Sequence, residues 1–273
     1  MLVFPKAKIN IGLRVTEKRP DGYHNLETIF YPVKIHDALE LIEAPPTATK
    51  EISFTQSGLQ VGGKESENLI IKAFQLLKND FPELPKLIAH LHKNIPMGAG
   101  LGGGSSDAAY MLKLINDKCS LGIDQKALCT YALQLGSDCP FFITASPAYA
   151  EGRGEKLQDV VLSLEGYQLL IVYPGISVKT SMAFSNIKPA PSNTKLREEV
   201  MKPVSEWKKS ILNDFEATVF IQYPVLAGLK KMLYEEGAIY ASMSGSGSTI
   251  YGIFPSNKMI NLKFPDSYFY QWV

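Results

Sequence analysis

Apolar and polar side chains alternate from residue 7 to residue 15, with Ile9, Ile11, Leu13 and Val15 on one face. That period of two predicts a half-buried strand. Arg19-Pro20-Asp21-Gly22 then reads as a turn, because proline presets φ and glycine tolerates positive φ. Residues 26–42 are rich in β-branched and aromatic side chains and predict one or two further strands. The Pro45-Pro46 pair marks 44–50 as a loop, and 51–54 is a short strand. Leu69, Ala73, Leu76 and Leu77 fall on one helical face and predict a helix over 66–81, with Ser66 as its cap. Residues 86–93 return to alternation through Leu87, Ala89 and Leu91. Helices are expected at 105–116 and at 125–135, the second with Asp124 at its start and Gly136 just past its end. Downstream, 168–173 is a strand, 189–193 a loop, 204–211 and 225–236 helical, and 239–243 and 249–254 strands. The order of strands and helices has no regular βαβ rhythm, so the expected class is α+β.

A chain of 273 residues holds two modest domains or one large one. Gly152 and Gly154 mark a boundary, giving 1–152 and 153–273 as the expected domains. Apolar residues make up 45% and charged residues 20%, which excludes long disorder and fibrous repeats. Lys and Arg total 28 against 27 Asp and Glu, a net charge of +1. Neither nucleic acid nor a membrane surface is expected as a partner on that balance, and a phosphate-bearing ligand must be held by a local site. Cys119, Cys129 and Cys139 lie ten residues apart with no CxxC, so buried thiols in a reducing compartment are expected rather than disulfides. Residues 1–15 lack a signal-peptide layout, and no apolar run approaches the roughly 18 residues of a membrane helix. The expected location is the cytoplasm.

The densest signal is Pro96-Met97-Gly98-Ala99-Gly100-Leu101-Gly102-Gly103-Gly104-Ser105-Ser106. Five glycines fall within seven positions, between a predicted strand and a predicted helix. Glycine lets a backbone approach a ligand closely, and the following helix points unpaired N–H groups and its positive dipole end at the loop. That combination is an anion site, most naturally for phosphate. Ser105 and Ser106 add hydroxyl donors or contacts for Mg2+. A flexible linker fits poorly, since the flanking residues form helix and strand. The run is not a Walker loop, because no Lys follows it, and the dinucleotide fingerprint is weak because no acidic residue about 20 residues on ends a second parallel strand.

Two shorter segments join it. Pro5-Lys6-Ala7-Lys8-Ile9-Asn10 places Lys8 and Asn10 on one strand face, and Ser242-Met243-Ser244-Gly245-Ser246-Gly247-Ser248 is a second glycine–serine turn. Together the three segments resemble the GHMP kinase superfamily. Asp21-Gly22-Tyr23-His24, Leu135-Gly136-Ser137-Asp138-Cys139-Pro140-Phe141-Phe142, Ala150-Glu151-Gly152-Arg153-Gly154-Glu155 and Tyr173-Pro174-Gly175 follow in an order similar to its branch acting on a cytidine diphosphate sugar-alcohol. The resemblance covers residues 5–254, with Ser in the third motif where Thr is common.

The resemblance implies a two-domain fold, an N-terminal domain carrying the ATP loop and a C-terminal ferredoxin-like domain. It implies ATP and Mg2+, with residues 96–106 holding the nucleotide. It assigns Lys8 and Asp138 to catalysis at the acceptor hydroxyl. It also assigns Asn10, Tyr23, His24, Thr180 and Phe184 to the acceptor, with Tyr23 and Phe184 stacking on cytosine and His24 bonding the base edge. A carboxylate can take the proton of an alcohol, and an ammonium keeps that carboxylate ionised. By residue type alone Asp138 would be a turn aspartate and Phe184 a core ring. His90 and His92 share a strand face without a third metal ligand nearby in sequence. A kinase for homoserine or mevalonate is the runner-up, against which Tyr23 and His24 count. A nucleotide-binding regulatory module is the alternative from another class, against which the joint presence of Lys8 and Asp138 counts. The sequence leaves oligomeric state open.

Overall fold

The computed structural model describes residues 1–273 other than 61, 192, 193, 259 and 260. The chain forms two compact units that interleave along the sequence. One comprises Met1–Ala7, Lys34–Met97 and Gly102–Ser146, the other Lys8–Val33, Gly98–Leu101 and Pro147–Val273.

The first unit is built on a four-stranded sheet ordered Leu2–Val3, Ala38–Glu43, Leu87–Lys93, Ile52–Gly58. Its pairs are antiparallel except the last, which is parallel. A parallel pair needs a crossover, and helix Leu69–Asp80 supplies it. That helix buries Ile70, Ile71, Ala73, Phe74 and Leu77, a face turned slightly from the one the sequence pattern predicts, where Leu69 and Leu76 were counted. Its cap is Asn68, whose side chain accepts from the Ile70 N–H at 2.9 Å. Ser66 sits one turn earlier, in the 3₁₀ turn Glu65–Glu67. Helices Gly103–Lys118 and Gln125–Leu135 pack with Leu69–Asp80. Asp124 caps the last of these through the Ala127 N–H at 2.8 Å.

In the second unit a four-stranded sheet runs Tyr240–Met243, Ile250–Pro255, Tyr167–Tyr173, Phe269–Trp272, antiparallel throughout. In chain order these strands are second, third, first and fourth, the ferredoxin-like arrangement. Leu170, Val172, Met243, Ile250 and Phe254 from the sheet pack on Phe215, Val219, Leu226, Leu229 and Leu233 from helices Phe215–Gln222 and Pro224–Glu235. Strand Phe269–Trp272 lies beyond the last element expected from the sequence, which ended at residue 254. The described residues between Pro255 and Phe269 hold no helix. The expected loop 189–193 ends on 192–193, which lie outside the described residues.

A third sheet, Lys6–Lys18, His24–His36, Ala148–Gly152, Lys156–Asp159, lies in the second unit apart from residues 6–7 and 34–36. The expected strand region 26–42 is two strands broken at Asp37. Gly152 and Gly154 close the hairpin of the last two strands with positive φ.

Candidate active site

In the second unit, strand alternation puts Lys8 and Asn10 on one face, and both are buried. The Lys8 ammonium donates to Asn10 Oδ1 at 2.6 Å and to the Gly100 carbonyl at 3.2 Å, and lies 5.1 Å from the Phe30 ring centre. Thr28 fixes the Asn10 amide. The Thr28 hydroxyl gives its proton to the Gly12 carbonyl at 2.6 Å and so accepts from Asn10 Nδ2 at 2.9 Å. The amide oxygen is thereby turned toward Lys8.

The third motif closes on the same point. Asn10 N–H donates to Ser244 Oγ at 3.1 Å, and Ser244 Oγ donates to the Gly100 carbonyl at 2.8 Å. Lys8 N–H bonds the Leu101 carbonyl and Thr249 N–H the Ala99 carbonyl. Gly98 and Gly100 take φ of 64° and 80°, the left-handed region open to glycine. Asn213 props the turn from behind, its Nδ2 donating to the carbonyls of Met243 and Gly245, each at 2.8 Å. Sequence reasoning missed Thr28 and Asn213, since a strand threonine and a lone asparagine carry no motif.

In the first unit the loop continues into a helix. Gly102 is left-handed at φ 71° and helix Gly103–Lys118 starts behind it with no side-chain cap. Gly103 and Gly104 are already helical, so their backbone does not need glycine. Gly103 is small for a different reason: a Cβ there would meet Lys93 Nζ and Ile95 Cγ2, each at 2.9 Å. Ser106 Oγ is buried without a hydrogen-bond partner. Ser105 bonds the Cys139 thiol, and burial pushes that thiol up to about 12, with the charge of Asp138 adding to the rise. Asp138 is half-buried in the turn after helix Gln125–Leu135.

Beneath the helix start lies a charge cluster that the sequence did not announce. The Lys93 ammonium, fully buried, bonds Asp37 and, at 2.7 Å, Asp107. Asp37 Oδ1 also accepts the N–H groups of Asn94 and Ile95. Burial, opposed by Lys93 and reinforced by Asp37, pushes the Asp107 carboxyl up to about 8. A cavity of about 430 Å³ opens beside it, lined by Phe54, Asn68, Leu91, Met97, Gly104 and Asp107 among others. Pro96 is buried and Met97 is 40% exposed.

The acceptor residues expected from the sequence lie in the second unit. The His24 and Phe184 rings are stacked with centres 4.8 Å apart and planes at 17°. Phe184 meets Phe215 edge-on at 4.7 Å, so it is also anchored to the core. Tyr23 is 55% exposed, and its ring lies 4.9 Å from the Arg153 guanidinium. Thr180 Oγ1 lies 3.4 Å from Ser246 Oγ. His90 bonds Thr55 through Nδ1 and Ser57 through Nε2, and His92 bonds Ser57 through Nδ1. Among the described residues no group of three or more His, Cys, Asp or Glu could hold a metal, and no helix is long and apolar enough to cross a membrane.

Two family models match, GHMP kinases N terminal domain over residues 68–146 and GHMP kinases C terminal over 195–262. The chain is 51% identical over 272 residues, 99% of its length and 98% of the relative's, to a 4-diphosphocytidyl-2-C-methyl-D-erythritol kinase of Bacteroides fragilis. It belongs to the 4-diphosphocytidyl-2-C-methyl-D-erythritol kinase family of GHMP kinases. The crystal structure of a 4-(cytidine 5'-diphospho)-2C-methyl-D-erythritol kinase aligns at TM-score 0.79 and 30% identity, covering 93% of this chain and 90% of that one. A homoserine kinase structure from Cytophaga hutchinsonii aligns at TM-score 0.66 over 93% of this chain and 86% of that one. At 15% identity it shares the fold alone. Membership of that family makes the chain a small-molecule kinase with ATP as phosphate donor.

Proposed function

We infer that this chain transfers the γ-phosphoryl group of ATP to a hydroxyl of 4-diphosphocytidyl-2-C-methyl-D-erythritol. The products are the 2-phosphate and ADP, in the non-mevalonate route to isoprenoid precursors. The observation that carries the reading is the identity to kinases of that name along almost the whole chain. The meeting of Lys8 and Ser244 on the Gly100 carbonyl supports it in the second unit.

The residues fit ATP. The helix start offers uncapped N–H groups beside the orphaned Ser106 hydroxyl. These are the donors a triphosphate needs. The adjoining cavity of about 430 Å³ is of nucleoside size. ATP supplies the phosphoryl group. The hydroxyls of Ser105 and Ser106 would help to hold Mg2+, which would need few protein ligands and would supply charge neutralisation at the transferred phosphoryl group.

Asp138 takes the proton of the acceptor hydroxyl, which makes a poor nucleophile competent. Lys8, oriented by Asn10, steadies charge developing on oxygen. Residues 96–106 position the donor phosphates, and positioning supplies most of the remaining acceleration. Tyr23, His24, Thr180 and Phe184 hold the cytidine side. We assign 1–152 and 153–273 as the two family domains, the two model matches falling on either side of that division. The working compartment proposed is the cytoplasm.

The test is ADP release and product phosphate by NMR, with the cytidylyl acceptor, homoserine and mevalonate offered separately. Turnover is expected with the first alone. Efficient turnover of either other alcohol would overturn the acceptor assignment, and nucleotide binding without turnover would favour a regulatory module.

A further inference from the structure

Of the four arginines in the sequence, three are spent on polar partners. Arg14 pairs with Glu199 at 2.5 Å, Arg19 with Asp21 at 2.6 Å, and Arg197 donates to the Gln158 side chain at 2.8 Å. Arg153 makes no ion pair among the described residues. Its guanidinium lies over the Tyr23 ring, 4.9 Å from the centre.

Both ends of this contact are rooted in the backbone. Glu155 lies two residues from Arg153, but its carboxylate is folded into its own turn. It accepts from the Arg153 N–H at 2.6 Å and fills the space where a Cβ of Gly152 would sit, 2.9 Å away. Gly154 N–H bonds the Glu151 carbonyl. On the other side, Tyr23 N–H donates to Asp21 Oδ1 at 3.1 Å, Arg19 N–H donates to the Tyr23 carbonyl, and Arg19 holds Asp21 through both carboxylate oxygens. The two turns end adjacent strands, with Leu26 opposite Gly152 in the register. The Arg153–Tyr23 contact therefore joins two fixed hairpin turns of one sheet through an otherwise exposed ring.

We propose that Arg153 is a positioning residue for the acceptor, covering one face of Tyr23 so that the other is held ready for the cytosine base. The proposal rests on the reading of Tyr23 as a stacking ring. An exposed tyrosine without such a cover samples several rotamers and loses that freedom when a ligand binds. Fixing it beforehand removes part of the cost. A cation over an exposed aromatic face has the strength for this, an effect of about two- to fivefold in affinity.

The experiment is steady-state kinetics on Arg153→Ala, Arg153→Lys, Tyr23→Ala and the double variant Tyr23→Ala/Arg153→Ala. Arg153→Ala is expected to raise the KM for the cytidylyl acceptor about two- to fivefold, with kcat and the KM for ATP unchanged. Arg153→Lys, which keeps a cation for the ring, should recover most of that loss. In the Tyr23→Ala background, removing Arg153 should add nothing. Additive losses would show that Arg153 acts on the acceptor without Tyr23. A fall in KM would show that the guanidinium occupies the base's own place. A parallel drop in kcat or in melting temperature would mark a structural role. Each of these overturns the proposal while Tyr23→Ala still weakens the acceptor. If Tyr23→Ala itself leaves acceptor KM unmoved, the stacking reading has failed and this proposal falls with it.

Discussion

Gly100 lies against Ser244 so closely that a Cβ on Gly100 would sit 2.1 Å from the Ser244 carbonyl oxygen. Gly100 also holds φ at 80°, a conformation that costs an ordinary residue roughly 1–2 kcal/mol before any clash. Gly100→Ala must therefore move the loop away from the third motif. The Lys8 and Ser244 bonds to the Gly100 carbonyl would be lost with it. We expect ATP affinity to fall at least about tenfold, the equivalent of about 1.4 kcal/mol. Calorimetric titration with a nonhydrolysable ATP analogue would show it. Unchanged affinity would mean that this stretch does not shape the nucleotide site.

Asp107 makes stability depend on pH. Its carboxyl titrates at about 8 in the fold against 3.8 for an unperturbed aspartate, because burial outweighs the attraction of Lys93. The folded chain thus keeps a proton that the unfolded chain has already released. Stability from this group is full below about pH 4, falls as pH rises, and is gone above about pH 8. One such proton contributes at most about 1.4 kcal/mol per pH unit. Asp107→Asn carries no titrating proton, so its melting temperature should decline less than that of the parent between pH 5 and about pH 8. Parallel declines would mean that Asp107 is ionised throughout.

Much of the site was legible because its chemistry is spelled in runs. Five glycines between a strand and a helix point to an anion site, and strand alternation puts Lys8 and Asn10 on one face, while their roles at the acceptor come from the resemblance to GHMP kinases. The charge cluster was not legible, because Asp37, Lys93 and Asp107 are 56 and 14 residues apart around Lys93 and only the sheet and helix bring them together. The helix over Leu69–Asp80 was readable from its period, but Ser66 and Asn68 are both good caps by type. Which one serves depends on the 3₁₀ turn before them. Strand Phe269–Trp272 offers only four residues of alternation, too few to stand out until Tyr167–Tyr173 provides an edge to pair with.

Asp138→Asn should abolish turnover and leave ATP binding nearly intact. The amide keeps the size of the carboxylate but cannot accept the acceptor's proton. Asp138 lies in the turn after helix Gln125–Leu135, outside the glycine loop, so nucleotide affinity has no reason to change. A kcat loss of at least about a hundredfold is expected, read by coupled ADP release, with a calorimetric ATP titration alongside. Near-normal kcat would remove Asp138 from the chemistry.

Tyr23 and Phe184, the two rings expected to hold the base, should respond differently to removal. Stacking on a base is worth about 1–3 kcal/mol per ring, so Tyr23→Ala should raise the acceptor KM about five- to hundredfold. Tyr23 is 55% exposed, so its loss should scarcely move the melting temperature. Phe184 stacks on His24 and meets Phe215 edge-on. Phe184→Leu should therefore raise the same KM and also lower the melting temperature, since aromatic pairs contribute about 0.5–1.5 kcal/mol beyond burial. Neither variant should shift the KM for ATP. Comparing acceptor KM with melting temperature across the two variants separates the roles. A Phe184→Leu enzyme that is destabilised yet binds the acceptor normally would make Phe184 a core residue alone, leaving Tyr23 to hold the base with His24.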